Sequence, residues 1–261
     1  MARIYAIANR KGGSGKTTTT GALASCLARK GYKVLAVDMD PQGDLTDWAG
    51  YNTDDKLTVY EVLMDYANTR TTIVPREGSY DLLPADDILW NIISELDVKH
   101  EENIKKLQDA LNQVENDYDF ILIDTPPSYG ILAFNSYVAA KNGMIVTSDT
   151  SAFATRALEE LLDSVEHIRD FNPNAYPIGI LLTKYNGRSK AMRSMREISK
   201  EFGEYWNIPI FNTVIRNTSS IVEAQMNAED IFAVRNSIGA KDYSALTNEF
   251  LGMEKIEGAG E

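Results

Sequence analysis

Lys11-Gly12-Gly13-Ser14-Gly15-Lys16-Thr17-Thr18 is the stretch that decides how the rest of this chain reads. It follows Ile4-Tyr5-Ala6-Ile7-Ala8, an apolar run suited to a buried strand, and precedes residues 19–30, which have the pattern of a helix. Strand, glycine-rich turn and helix together form the context of a phosphate-binding loop. Gly12, Gly13 and Gly15 let the backbone come close to phosphate oxygens. The helix N-terminus adds its own partial positive charge. All eight residues are therefore candidates for nucleotide binding. Lys16 is expected to meet the β- and γ-phosphates, and Thr17 to offer its hydroxyl to Mg²⁺. The general spacing G-x-x-x-x-G-K-[ST] is not met, because position 10 is Arg10 and two lysines, Lys11 and Lys16, bracket the turn.

Working outward, buried-strand runs alternate with helical patterns. Val34-Leu35-Ala36-Val37 ends in Asp38, and Phe120-Ile121-Leu122-Ile123 ends in Asp124-Thr125-Pro126-Pro127. Further strands are expected over 80–83, 144–147 and 178–182, with a short segment at 208–211. Helices are expected over 57–64, 155–170, 189–205, 219–227 and 242–251, and one long helix over 88–116 with a break near Asn103. This alternation predicts an α/β fold, a single doubly wound, mostly parallel sheet with helices on both faces. One such domain is expected over residues 1–253, followed by an acidic, glycine-containing tail, 254–261, with no fixed structure.

In open α/β sheets, ligands gather at the carboxyl ends of the strands. Asp124 at a strand end beside the loop strand suits Mg²⁺, which keeps several waters and needs few protein carboxylates. Asp38-Met39-Asp40-Pro41-Gln42-Gly43-Asp44 forms a second acidic turn at such an end.

The chain has 261 residues, 44% of them hydrophobic, and a formal net charge of −12. Taken alone, that charge argues against a constitutive nucleic-acid binder. A single cysteine, Cys26, offers neither an internal disulfide nor a cysteine metal cage, which fits a reducing cytosol. No apolar run is long enough to cross a bilayer, and no signal segment precedes the first strand, so a cytoplasmic protein is expected. His100 and His167 stand alone among acidic neighbours and read as surface residues.

With both lysines in place, the loop resembles the deviant Walker A motif of the ParA/MinD family of ATPases. Residues 118–127 resemble that family's Walker B strand and second switch, and 37–46 its first switch. Leu181-Leu182-Thr183-Lys184-Tyr185, Asn212-Thr213-Val214-Ile215-Arg216 and Glu223-Ala224 extend the resemblance to about residue 250, in the short ParA form without a helix-turn-helix domain. The resemblance implies that Lys11 reaches across an ATP-bound homodimer to the partner's nucleotide. It casts Asp40 as the residue that orients the attacking water, Asp38 as a support for the Mg²⁺ waters, and Ile215 and Arg216 as neighbours of the base. Lys11, Lys16 and Asp40 are then the catalytic candidates, and Thr17, Asp38 and Asp124 the metal candidates. Asp44 departs from the Asn usual in relatives. Thr183-Lys184-Tyr185-Asn186 lacks the carboxylate that would accept the guanine N–H donors, which favours ATP.

Partners are read from a basic stretch. Arg188, Lys190, Arg193, Arg196 and Lys200 fall in a segment with one acid, Glu197, and Arg193, Arg196 and Lys200 share a helical face. With Arg216 they form a candidate surface for non-specific DNA, the alternative being an ordinary solvated helix face. Relatives often carry arginines where this chain has Asn217-Thr218-Ser219-Ser220. The resemblance implies a ParB-like centromere-binding partner and a nucleoid-associated partition ATPase. A ParA-like positioner of a protein cargo uses the same motifs. A MinD-type membrane ATPase is disfavoured, because the C-terminal region carries Asp242, Glu249 and Glu254 where a basic amphipathic helix is needed, so no membrane partner is expected. A nitrogenase-reductase-like role lacks its cysteines, and a tyrosine-kinase role lacks a tyrosine-rich tail.

Overall fold

The computed structural model describes residues 1–149 and 154–253. Six strands form one sheet: β1 (Arg3–Ala8), β2 (Val34–Asp38), β3 (Asp81–Leu83), β4 (Phe120–Asp124), β5 (Met144–Asp149) and β6 (Pro177–Thr183). Their order is β3-β2-β4-β1-β5-β6, and every pairing is parallel. Parallel strands are covered on both faces, which is why their sequences are almost continuously apolar. Ile4, Ala6 and Ala8 point into one core and Tyr5 and Ile7 into the other, as the two-residue period of a strand requires.

The helices are α1 (Lys16–Arg29), α2 (Asp44–Trp48), α3 (Val59–Leu63), α4 (Thr69–Thr72), α5 (Ile92–Glu95), α6 (Glu101–Ile104), α7 (Lys106–Asn112), α8 (Ile131–Ala139), α9 (Ala154–Ile168), α10 (Lys190–Trp206), α11 (Ser219–Met226) and α12 (Ile238–Met253). Side chains of α1, α11 and α12 fill the core on the Tyr5 side, and those of α3, α5, α7, α8 and α9 fill the other. The expected doubly wound sheet is what the chain forms. The acidic tail at 254–261 lies outside the described residues.

The long helix expected over 88–116 is not continuous. A 3₁₀ turn over Asp87–Asn91 leads into α5, and the chain extends at Leu96 before α6 and α7 begin. The Asp97 carboxylate accepts the Lys99 N–H (3.0 Å), and the Asn103 side chain donates to the Asp97 carbonyl (3.0 Å). These local bonds satisfy backbone groups that a continuous helix would use itself. Three helices went unseen in the sequence, α2, the single turn α4, and α8. All nine residues of α8 are buried, so it shows no polar face to mark a helical period. Helix α2 starts inside the acidic turn, capped by Gly43 at φ 67°. A side chain there would also meet the Ala85 carbonyl at 3.2 Å. The expected segment at 208–211 joins β6 only through one parallel bridge, Ile180 to Ile210.

Candidate functional site

The carboxyl ends of β1, β2 and β4 converge. Asp124 lies in register with Ile7 on one side and Asp38 on the other, so the two carboxylates are neighbours on one sheet edge. Both are fully buried. The glycine-rich turn runs from β1 to α1 across this edge, with Gly13 at φ 70° and Gly15 at φ 91°, a left-handed backbone that glycine adopts without strain. Arg10, where the general pattern has glycine, needs no such freedom because its own φ is negative. Its guanidinium instead lies 5.2 Å from the centre of the Tyr129 ring and donates to the Glu160 carbonyl (3.3 Å).

The turn is fastened from below. Ser14 Oγ shares a hydrogen bond with Thr147 Oγ1 (3.0 Å), and the Thr183 hydroxyl donates to the Ser14 carbonyl (2.7 Å). Asn9 donates to the Thr147 carbonyl and accepts the Lys11 N–H (2.7 Å). The Lys16 side chain is buried and donates to the Lys11 carbonyl (3.3 Å). The Lys11 ammonium is paired with the Asp149 carboxylate at the end of β5.

The acidic turn is built around Asp38. Its carboxylate accepts the Asp40 N–H (3.1 Å), the Thr46 N–H (3.0 Å) and the Thr46 hydroxyl (2.8 Å). Burial still pushes Asp38 up to about 7, against those three hydrogen bonds, with Asp40 adding to the rise. Asp40 is raised by burial, while the Gln42 N–H and Lys16 oppose it. Asp124 is raised further by burial and by Asp38, partly offset by Thr17 and Lys16. Lys16 is lowered by burial, against the pull of Asp124 and Asp40. Three carboxylates and one lysine thus share a poorly solvated edge. Such an edge favours a cation next to the acids and an anion next to the lysine.

Above the edge lies a cavity of about 620 Å³, floored by Gly12, Gly13, Gly15, Lys16, Thr17 and Thr18 and walled by Asp40, Trp48, Ile215 and Arg216. That volume suits a nucleotide-sized ligand. Asp124 Oδ1 accepts the Thr20 hydroxyl (3.3 Å), and Asp124 Oδ2 is buried with no hydrogen-bond partner among the described residues. A buried unpaired carboxylate oxygen is costly unless it meets a donor or a cation. No three His, Cys, Asp or Glu side chains form a metal cage among the described residues. The arrangement fits Mg²⁺, which keeps most of its waters, better than a fully protein-ligated ion.

A model of the AAA domain family matches residues 2–176 of this chain. The sporulation initiation inhibitor protein Soj of Bacillus subtilis is 33% identical, covering 95% of this chain and 98% of Soj. The chain belongs to the ParA/Soj family of P-loop ATPases. The chromosome partitioning protein ParA of Myxococcus xanthus is 30% identical over 96% of this chain and 88% of its own. Among solved structures, the cobyrinic acid a,c-diamide synthase of Mycobacterium smegmatis with bound ATP analogue and magnesium superposes with a TM-score of 0.85. It is 29% identical and covers 98% of this chain and 96% of its own.

The basic stretch of this ParA-family chain is less uniform in space than in sequence. Arg188, Lys190, Arg193 and Lys200 are exposed, whereas Arg196 is half-buried and its guanidinium reaches the Asn212 carbonyl (3.4 Å). Arg193 donates to the Gly187 carbonyl (2.8 Å), and Lys200 pairs with Glu197 (3.0 Å). Arg193 and Arg196 flank an open groove of about 320 Å³ that Tyr185 also lines. Arg216 is clasped by Asp242, which accepts from both its guanidinium and its backbone N–H. Ile215, expected beside the base, is buried under the cavity and donates its N–H to the Leu182 carbonyl (2.8 Å). His100 and His167 are exposed.

The contacts of the motif residues escaped the sequence reading. Asp149 and Asp242 act on Lys11 and Arg216 from other parts of the chain, so spacing carries no signal of them, and Thr46 and Thr183 lie in segments the sequence singled out without a role for either side chain. Asp242 and Glu249, read from sequence as acids that would repel a membrane, hold backbone N–H groups at 216 and at 212–213. No described helix is long and apolar enough to cross a membrane.

Proposed function

We propose that this chain is an ATP-driven dimerisation switch of the partition type, which binds DNA without sequence preference in its ATP form and releases it on hydrolysis. Residues 11–18 hold the triphosphate, with Lys16 beside the β- and γ-phosphates. Thr17 and Asp124 hold Mg²⁺, and Asp38 steadies its waters and the acidic turn. Mg²⁺, when bound, neutralises charge on the phosphate oxygens. Asp40 orients the attacking water, which in phosphoryl transfer demands position more than basicity. Ile215 and Arg216 sit beside the base. Lys11 leaves Asp149 and serves the nucleotide of the partner subunit.

One observation carries the reading: Lys16, Asp38, Asp40 and Asp124, from three separate parts of the chain, meet at one buried edge under a nucleotide-sized cavity. The relatives named for chromosome partitioning support the partition role. Arg188, Lys190, Arg193, Arg196, Lys200 and Arg216 form the proposed DNA surface, and two subunits present it twice. A ParB-like protein is the proposed stimulator of hydrolysis, and one ATPase domain over residues 1–253 acts in the cytoplasm, on the nucleoid. Linkage gives the switch its logic, since nucleotide favours the assembly that carries the complete DNA surface.

The test is binding to random-sequence duplex DNA with ATP, ADP or no nucleotide, using the parent and Asp40→Ala. Binding that needs ATP, and that outlasts ATP in the variant because hydrolysis is lost, supports the switch. Binding indifferent to nucleotide overturns it.

A further inference from the structure

Helix α2 is five residues long and starts inside the acidic turn, with a glycine rather than a hydrogen-bonding side chain as its cap. A helix this short does not hold itself and takes its position from what it packs against. Its first half is tied by Thr46 to Asp38. Its second half ends in Trp48, a buried side chain outside every motif of the site.

Trp48 is held on two sides. The indole N–H donates to the Glu229 carbonyl (2.8 Å), 181 residues further along the chain. The ring lies on Gly21 of α1. A Cβ there would stand 2.6 Å and 2.9 Å from ring carbons Cζ3 and Cε3, and 3.2 Å from Leu45, the other large apolar side chain of α2. Gly21 is inside a helix, without the positive φ that calls for glycine, and glycine is a poor helix residue. Its use here is the close approach of α2. Behind the ring is a space of about 20 Å³, room for about one water, so the indole has nowhere to retreat from an added methyl.

The acceptor of the indole N–H is itself anchored. The loop between α11 and α12 carries Asp230, which accepts the Ser25 hydroxyl of α1, and Phe232, whose ring centre lies 4.4 Å from the Arg29 guanidinium. Ile231 is buried with Trp48 and Leu45 in one core cluster. On the other side of this loop, α11 reaches the phosphate loop, where Gln225 donates to the Thr18 hydroxyl (3.1 Å). Trp48 thus joins the acidic turn to α1 and to the α11–α12 connection. Trp48, Asp40 and Asp44 all line the nucleotide-sized cavity.

We infer that Trp48 is a positioning residue: seated on Gly21 and tied to the Glu229 carbonyl, its indole fixes where α2 starts, and so where Asp40 and Asp44 stand in the cavity. A carboxylate that orients water acts through its position, and a displacement of about 1 Å can cost about a hundredfold in rate. The consequence for hydrolysis rests on the ATPase reading; the positioning of the turn does not.

Three variants of the full chain separate the contacts. Trp48→Phe keeps a ring on Gly21 and loses the bond to Glu229. Trp48→Ala loses both. Gly21→Ala leaves Trp48 in the chain and pushes its ring away, while favouring the α1 helix. Each is first checked by urea unfolding; should Trp48→Ala fail to fold, the other two carry the test. Hydrogen exchange of the 39–47 backbone reads the turn directly. It is expected to be about tenfold faster in Trp48→Ala and Gly21→Ala than in the parent, with Trp48→Phe between them. The kcat for ATP hydrolysis is expected to fall about tenfold in the same two variants and about threefold in Trp48→Phe, while affinity for ADP, which needs no attacking water, stays within about twofold. Gly21→Ala added to Trp48→Ala is expected to cost nothing further, because the ring it displaces is gone.

Parental exchange of 39–47 in Trp48→Ala and Gly21→Ala overturns the positioning. A loss of ADP affinity that matches the loss in kcat overturns it too, by making Trp48 a wall of the cavity only. So do additive effects in the double variant, which would mean that Gly21 does not act through the ring. If the parent does not hydrolyse ATP, the ATPase reading fails, and exchange of the 39–47 backbone still decides the positioning.

Discussion

The Lys11 ammonium and the Asp149 carboxylate form an ion pair that spans the loop after β1 and the end of β5. Both side chains are less than one-third exposed. A partly shielded pair of this kind contributes about 1 kcal/mol. If Lys11 must leave it to serve a partner subunit, Asp149→Ala lowers the ATP concentration for half-maximal dimerisation by about fivefold. Lys11→Ala abolishes ATP-dependent dimerisation. Analytical ultracentrifugation across an ATP series reads both. A rightward shift for Asp149→Ala would show that the pair supports the dimer instead.

Thr46 joins three parts of the site through one hydroxyl, which donates to Asp38 and accepts from the Ala85 N–H. Thr46→Val preserves shape and removes both bonds. Leaving a buried carboxylate and a buried N–H short of partners costs about 1–3 kcal/mol. Urea unfolding is expected to show that loss with an unchanged m-value, together with a weaker grip on Mg²⁺–ATP.

The proposed DNA surface predicts a salt signature. Arg193 and Lys200 are exposed, so Arg193→Ala/Lys200→Ala removes two cations per subunit without touching the core. Each phosphate contact contributes about 0.9 to the log–log salt slope, so a dimer that loses four contacts flattens by about 3–4. A solvated helix face with no DNA role gives parallel lines for parent and variant.

Glu249 gives a pH test away from the site. Its carboxylate accepts the Asn212 N–H (2.5 Å), the Thr213 N–H (2.8 Å) and the Asn212 side chain (3.0 Å). Partial burial raises its pKa, and these hydrogen bonds outweigh that and leave it lowered. A lowered carboxylate stabilises the fold above its ordinary value and loses that contribution as pH falls through the folded one. Glu249→Gln is therefore expected to cost about 1 kcal/mol at pH 7, with solvent screening limiting it. The gap to the parent should close below about pH 4. A gap that widens in acid would contradict the hydrogen-bond account.

Burial pushes the Cys26 thiol up to about 11, so almost none is thiolate at neutral pH. Ellman's reagent should leave the folded protein unreacted at pH 8 over minutes and titrate one thiol per chain in guanidinium. Rapid reaction of the native chain would place Cys26 in an opened, solvated helix.

The sequence by itself determined the sheet, the phosphate loop and the carboxylates at strand ends. Each of these is local: a short apolar run between turns is a buried parallel strand, and glycines before Lys16-Thr17 have few other uses. Helical spacing set Arg193, Arg196 and Lys200 on one face, of which Arg193 and Lys200 are exposed while Arg196 is half-buried against the Asn212 carbonyl. Only tertiary structure decided what each motif residue touches. Asp149 lies 138 residues from Lys11, and Asp242 lies 26 from Arg216. The lowered Lys16 and raised Asp38 arise from burial that no linear pattern encodes. Helix α8 was invisible because its every face is buried, and the segment from 88 to 116 broke because Asp97 and Asn103 offered its backbone local partners. Periodicity reports a contrast between two environments. It falls silent where the environment is uniform or where side chains compete with the backbone for the same hydrogen bonds.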